Sequence, residues 1–304
     1  MLGVCAQTPK AWDRSVERRP SGWIFMTFAP ETSVSEFWRI ARVLATYSAR
    51  AYRDATATDA ETNASAIVIL DQDGDIIVAF KGSNQWGDFV QDAKCWLTKL
   101  SKRSVKRSIL LYPRSSSKRP VAAEVHQGFL EDWNALNIAV LSQVNALLAA
   151  NPTAKIYITG HSLGGGIAIL CATEFARLKK PVAGIFTFGQ PRVGNHTFKM
   201  LYNHLAGNLT PLGYEPRGVS LLKKTFHIVN QNDLVPRLPG WLMGYRHVGT
   251  EVFLTPRGGW CVSPSLLRKF IYDALGLWGA FRKWEDVLIR DHFIAAYQER
   301  IKGL

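Results

Sequence analysis

With 304 residues, 47% of them hydrophobic, the chain can bury a large core, as one big α/β domain or two small ones. No Pro/Gly/Ser-rich linker and no internal repeat divides it, no apolar run approaches a membrane span, and residues 1–19 are charged without a signal-type apolar stretch. Integral membrane insertion and signal-directed secretion are therefore disfavoured, and the expected location is cytoplasmic or peripheral to a membrane.

Cys5, Cys95, Cys171 and Cys261 lie far apart and form no C-x-x-C pair, so neither a metal site nor a dithiol motif is expected, and no other feature calls for a cofactor. The net charge of +13 is unevenly spread. Residues 94–119 hold nine basic side chains and no acid, a block suited to phosphates on an anionic membrane surface or on nucleic acid. No recognisable nucleic-acid module accompanies it, so a nucleic-acid partner is not expected.

Taken in order, residues 35–53 place Phe37, Ile40, Ala41, Leu44, Ser48 and Ala51 at helical spacing and predict an amphipathic helix. Residues 66–70 and 76–80 are β-rich runs flanking Asp71-Gln72-Asp73-Gly74-Asp75, whose Asp-Gly predicts a hairpin. The aspartates resemble part of a calcium loop, but no Glu follows at the required position, and a turn is the better reading. Past the basic block, Val125-His126-Gln127-Gly128 introduces a long helix with Phe129, Trp133, Leu136, Val140, Val144 and Leu147 on one stripe, ended by Asn151-Pro152. Further strands are predicted at 185–188, 226–229 and 251–254, with a short helix at 196–205.

This alternation predicts a mainly parallel central sheet with helices on both faces and an antiparallel hairpin edge. Chemistry in such a sheet gathers outside the carboxyl ends of the strands, and Ser83, Ser162, Gly189 and Asp233 all follow predicted strands closely.

The most informative stretch is Ile156-Tyr157-Ile158-Thr159-Gly160-His161-Ser162-Leu163-Gly164, a β-rich run that breaks into Gly-x-Ser-x-Gly and resumes as a helical face. The three fixed positions alone recur by chance in roughly one 300-residue sequence in ten. The strand before and helix after carry the reading: a nucleophile elbow, in which Ser162 is exposed on a sharp turn and the N–H of Leu163 forms half of an oxyanion hole. Flanking glycines remove side chains that would collide there.

A serine hydroxyl needs a base and a carboxylate to orient that base. Asp233, in Asn232-Asp233-Leu234-Val235-Pro236, directly follows a predicted strand and is the candidate carboxylate. Two histidines lie downstream, His247 and His292, and both preserve the Ser, Asp, His order of an α/β-hydrolase. Spacing does not choose between them.

Several ordered segments together resemble the class 3, fungal-type lipase family of α/β-hydrolases. They are Val78-Ala79-Phe80-Lys81-Gly82-Ser83, His126-Gln127-Gly128-Phe129, Gly160-His161-Ser162-Leu163-Gly164-Gly165, Phe188-Gly189-Gln190-Pro191-Arg192-Val193-Gly194-Asn195 and Asn232-Asp233-Leu234-Val235-Pro236-Arg237-Leu238-Pro239. The resemblance spans about residues 35–297. It implies that His292, in an Asp-His segment with Tyr297 a few residues on, is the base and that His247 is structural. It places the second oxyanion donor at Ser83. His126 and His161 read as packing beside the site. Lys81 departs from the arginine usual in the family, which replaces a guanidinium by a point charge.

The family resemblance makes residues 35–304 one α/β-hydrolase domain, residues 1–34 an N-terminal extension, and residues 84–120 a lid or basic insertion with Trp86, Phe89 and Trp96 as lid aromatics. A second amphipathic stretch, 266–281, carries Leu267, Phe270, Ile271, Ala274, Trp278 and Phe281 with basic flanks and suits either core packing or an anionic lipid surface. The implied activity is hydrolysis of carboxylic ester bonds in acylglycerol or phospholipid, with catalytic Ser162, Asp233 and His292 and oxyanion donors Ser83 and Leu163. The alternative is a catalytically silent scaffold that binds lipid or a protein.

Overall fold

The computed structural model describes residues 5–6, 33–82, 97–99, 122–205, 220–231, 233–255, 258–263 and 290–304. Ser83, nearly all of the expected lid at 84–120, Asn232 and the amphipathic stretch 266–281 lie outside the described residues. In chain order the first elements are β1 (Cys5–Ala6), α1 (Val34–Arg50), β2 (Ala57–Thr58), β3 (Ser65–Leu70), β4 (Ile76–Phe80), β5 (Leu97–Lys99) and β6 (Glu124–His126). Then come α2 (Gln127–Ala150), β7 (Ile156–His161), α3 (Leu163–Arg177), β8 (Val182–Phe188), β9 (Gly194–Asn195), α4 (His196–His204) and α5 (Leu221–Lys224). β10 (Thr225–Asn230), β11 (Tyr245–Arg246), β12 (Thr250–Leu254), β13 (Trp260–Val262) and α6 (Ile294–Lys302) complete them.

Among the described residues the main sheet has nine strands in the order β1-β13-β12-β10-β8-β7-β4-β3-β2. Its centre, β12 through β4, is parallel, and both edges are antiparallel. The predicted hairpin is the β3–β4 pair, in register from Ala66 opposite Phe80 to Leu70 opposite Ile76. Its turn is closed by Asp71, whose carboxylate accepts the N–H groups of Asp73 and Asp75 at 3.0 and 2.9 Å. Part of the expected N-terminal extension, Cys5–Ala6, pairs with β13 at the far edge.

Side chains on β4 alternate between two buried layers, as the period of a strand requires. Ile76, Val78 and Phe80 join the core beneath α2 and α3, with Phe129, Leu136, Val140, Ile167 and Phe175. Ile77 and Ala79 face the other core, built from Phe37, Trp38, Ala41 and Leu44 of α1 and Tyr297 and Ile301 of α6. The stripe read from the sequence of α1 is thus its buried face. Ser33 caps this helix, accepting the Glu36 N–H at 3.1 Å, a bond type worth about 1 kcal/mol.

A second antiparallel sheet, β11-β9-β6-β5, stands apart and was not expected from the sequence. Its strands are two or three residues long, too short to show alternation.

Register brings the chemistry to one edge. Phe80 lies opposite Gly160, His161 opposite Phe188, and Phe188 opposite Ile228, so β4, β7, β8 and β10 end side by side. The segments leaving them carry Gly82, Ser162, Gly189 and Asp233.

Candidate active site

Ser162 sits between β7 and α3 with φ 57° and ψ −131°. A non-glycine residue in this region stores on the order of 1–3 kcal/mol of strain, which the surrounding structure must hold. The Ser162 N–H donates to the Phe188 carbonyl at 2.9 Å and its own carbonyl accepts the Gly165 N–H at 2.9 Å, fixing the turn on both sides. The flanking glycines allow the chain to pass through it. A Cβ on Gly160 would lie 2.3 Å from the Gly164 carbonyl oxygen, and one on Gly164 would lie 2.3 Å from that of Phe80. Leu163 is the first residue of α3, so its N–H belongs to the helix turn whose amides lack intrahelical acceptors.

Three residues far apart in the chain meet here. His292 Nε2 lies 2.9 Å from Ser162 Oγ, and His292 Nδ1 lies 2.8 Å from Asp233 Oδ2. Their exposures are 6% for Ser162, 1% for His292 and 0% for Asp233, so the chain of bonds is shielded from water. Because a carboxylate only accepts, Nδ1 carries the proton toward Asp233, and Nε2 is left facing the serine hydroxyl.

Asp233 is held from both sides. Oδ2 also accepts from the Tyr297 hydroxyl at 2.6 Å, while Oδ1 accepts the Val235 N–H at 2.8 Å. Tyr297 in turn accepts the Asn230 N–H at 3.0 Å, which ties α6 to the end of β10. Burial first, and then the Asp233 charge, push the Tyr297 hydroxyl well above its ordinary pKa and keep it a donor. Asn230 Nδ2 donates to the Asp291 carbonyl at 3.0 Å and holds the segment that presents His292.

His247, the other histidine left open by spacing, is committed elsewhere. Its Nε2 donates to the Pro236 carbonyl at 2.5 Å, and its ring stacks on His227 with centroids 4.3 Å apart. Burial, reinforced by His227, holds it well below the usual histidine pKa. His126 stacks on Phe129 at 4.2 Å, a packing role as expected.

His161 is more than packing. Its Nε2 is 2.6 Å from the His292 carbonyl oxygen, its Nδ1 is 2.8 Å from the Tyr52 hydroxyl, and its ring lies 4.7 Å from that of His292. Neither Tyr52 nor this use of His161 was read from the sequence. Tyr52 falls just past the helical stripe of α1, where periodicity carries no signal.

Burial first, and then the proximity of His292, depress the His161 pKa to about 3. The folded state therefore binds fewer protons than the unfolded chain between pH 6.5 and about 3. The stability contributed by neutral His161 is full above pH 6.5 and is lost as pH falls toward 3. Urea unfolding of wild type and His161→Gln at pH 6.5, 5.5 and 4.5 is expected to show a wild-type stability that falls more steeply with falling pH, by about 1 kcal/mol per pH unit. Parallel slopes for the two proteins would contradict this.

A parallel sheet with helices on both faces, a serine on a strand-to-helix turn and the order Ser, Asp, His define an α/β-hydrolase fold. The same fold is found in lipase II from Rhizopus niveus, with a TM-score of 0.59 over 77% of this chain and 86% of that one at 22% identity. The family model for Lipase (class 3) matches residues 77–243, more than half of the sequence, and the chain belongs to that family. Among curated relatives, the secreted mono- and diacylglycerol lipase 1 of Fusarium solani is 35% identical over 130 residues, 43% of this chain and 34% of that protein. The secreted mono- and diacylglycerol lipase A of Penicillium cyclopium is 27% identical over 214 residues, 70% of this chain and 58% of that protein. The chain thus spans less than two thirds of the length of either relative.

These relatives correct one expectation. A cytoplasmic or membrane-peripheral location does not stand, because the similar proteins are named as secreted. The expectation took the charged residues 1–19 as evidence on targeting, which they do not supply. Among the described residues no helix is long and apolar enough to cross a membrane.

Proposed function

We propose that this protein hydrolyses carboxylic ester bonds of lipids through a covalent acyl-enzyme, with Ser162 as nucleophile, His292 as base and Asp233 as its orienting carboxylate. The observation that carries the reading is the buried hydrogen-bonded chain from Ser162 Oγ through His292 to Asp233 Oδ2, at 2.9 and 2.8 Å.

The steps follow from this geometry. Ser162 Oγ attacks the acyl carbonyl carbon while its proton passes to His292 Nε2. Asp233 stabilises the resulting imidazolium, and its own position is fixed by Tyr297 and the Val235 N–H. The developing oxyanion is taken by the N–H of Leu163 and by Ser83, where each donor contributes about 3–4 kcal/mol to the transition state. Collapse expels the alcohol, protonated by His292. Water, deprotonated by the same nitrogen, then attacks the acyl-enzyme and releases the acid and the serine.

The same reading takes residues 35–304 as one hydrolase domain with a lid at 84–120. For substrate we propose acylglycerol esters, as in the names of the relatives, over phospholipid headgroups as such. The basic block at 94–119 adds attraction to anionic lipid aggregates. Mono-, di- and triacylglycerol and phosphatidylcholine, each dispersed with and without an anionic lipid, test this reading. Acylglycerol turnover that rises with anionic lipid and falls as salt increases is the expected result. Turnover of phospholipid alone would contradict the substrate class, and insensitivity to anionic lipid and salt would remove the role of the basic block.

A further inference from the structure

We propose that Tyr52 and His161 are positioning residues, forming a fixed hydrogen-bonded relay that locks the base to the strand end bearing Ser162. This rests on the reading of Ser162, Asp233 and His292 as the reacting groups.

The relay joins three segments that are distant in sequence, carrying Tyr52, His161 and His292. Gly82, just past β4 and one residue before Ser83, packs against Tyr52, so that a Cβ at Gly82 would lie 2.2 Å from the Tyr52 hydroxyl oxygen. The Tyr52 hydroxyl meets His161 Nδ1 at 2.8 Å, and His161 Nε2 meets the carbonyl oxygen of His292 at 2.6 Å. The directions of these bonds are determined by chemistry. A carbonyl only accepts, so His161 carries its proton on Nε2, and Nδ1 must accept from Tyr52. Tyr52 then uses its proton toward His161, and both ring nitrogens of His161 are paired.

The close fit leaves no room for slack. A Cβ on Gly82 would lie 2.2 Å from the Tyr52 hydroxyl, 2.6 Å from the His161 carbonyl oxygen and 3.1 Å from Ser162 Cβ. Nucleophile, oxyanion strand end and relay are thus packed in direct contact. The ring of His161 also lies over that of His292, at 4.7 Å and 35°. A charged neighbour there would oppose formation of the His292 imidazolium, and burial keeps His161 neutral.

The relay passes no proton. Burial pushes the Tyr52 hydroxyl far above its ordinary pKa, and His161 has one permitted tautomer. What it supplies is geometry. A reacting group misplaced by about 1 Å costs about 10²-fold in rate.

The test uses the full chain and compares wild type, Ser162→Ala, Tyr52→Phe, His161→Asn, His161→Gln and the Tyr52→Phe/His161→Asn pair on a soluble p-nitrophenyl ester. Tyr52→Phe is expected to lower kcat about 10-fold and His161→Asn about 10²-fold, with KM within about 2-fold. The glutamine amide reaches the position of Nε2 and can still donate to the His292 carbonyl, so His161→Gln is expected to recover part of the loss. The double variant is expected to lose no more than His161→Asn alone, because the residues act as one unit.

Wild-type kcat in both single variants, losses confined to KM, or losses that multiply in the double variant would overturn the relay. Ring-¹⁵N NMR of histidine in the wild-type protein tests it without any substitution. Neutral, Nε2-protonated His161 that does not titrate from pH 5 to 8 is expected, and a titrating or Nδ1-protonated ring would overturn the proposal. An inactive wild type, or Ser162→Ala retaining activity, would instead remove the reading of the reacting groups, and the NMR result would stand independently.

Discussion

Replacement of Ser162 by alanine is expected to lower kcat for ester hydrolysis by about 10⁶-fold while leaving the fold intact. The methyl group occupies the same turn, and the backbone bonds from Ser162 N–H to Phe188 and from Gly165 N–H to the Ser162 carbonyl do not involve the hydroxyl. Without the hydroxyl no acyl-enzyme forms, and His292 Nε2 loses its partner at 2.9 Å. The remaining oxyanion donors still polarise a bound ester, so a residual acceleration of about 10³-fold over water is expected. Steady-state rates and circular dichroism on the same preparation separate lost chemistry from lost structure. A variant folded like wild type and retaining more than about 1% of kcat would be incompatible with the proposed nucleophile.

Asp233→Asn is expected to lower kcat by about 10⁴-fold, a larger effect than the near-identical shape implies. The carboxylate accepts at both oxygens: Oδ2 from His292 and Tyr297, Oδ1 from Val235. An amide offers only one acceptor oxygen. If that oxygen faces the Val235 N–H, the amide nitrogen points at His292 Nδ1, forces the proton onto Nε2 and removes the acceptor for the serine proton. If it is turned round, a donor faces the Val235 N–H. A kcat within about 10-fold of wild type would show that Asp233 is not the orienting carboxylate. Tyr297 adds a check, since its hydroxyl shares Oδ2 with His292 and its loss leaves the carboxylate less constrained.

The elbow was legible in the sequence because three constraints coincide in one short stretch: a β-rich run, glycines at Gly160 and Gly164, and a helical face after Leu163. Each has a visible physical counterpart in the fold, down to the 2.3 Å approaches that exclude a Cβ at either glycine. The parallel character of the sheet was legible because strands alternate with connections long enough for crossover helices, whereas the strand order was not read from the sequence. Residue order and spacing left His247 and His292 open, and only the family resemblance, through Asp291-His292 with Tyr297, pointed to His292. In the fold His247 is bonded to Pro236 and stacked on His227, while His292 faces Ser162.

Tyr52 and His161 were hidden for a different reason. A hydrogen bond between residues 109 apart in the chain leaves no periodic trace, and a histidine beside a motif serine reads equally well as filler. The second sheet was missed because strands such as β9 and β11 are two residues long and defined only by their partners. Sequence pattern reports local regularity and motif spacing. It is silent where a polar side chain is specified by one distant contact.

The most direct test of the account is covalent labelling with a fluorophosphonate, followed by peptide mass spectrometry across pH. One stoichiometric adduct is expected, on the peptide containing Gly160-His161-Ser162-Leu163-Gly164, abolished in Ser162→Ala and strongly slowed in Asp233→Asn. Active wild-type enzyme that carries no adduct on Ser162, or is labelled stoichiometrically at another serine, would contradict it.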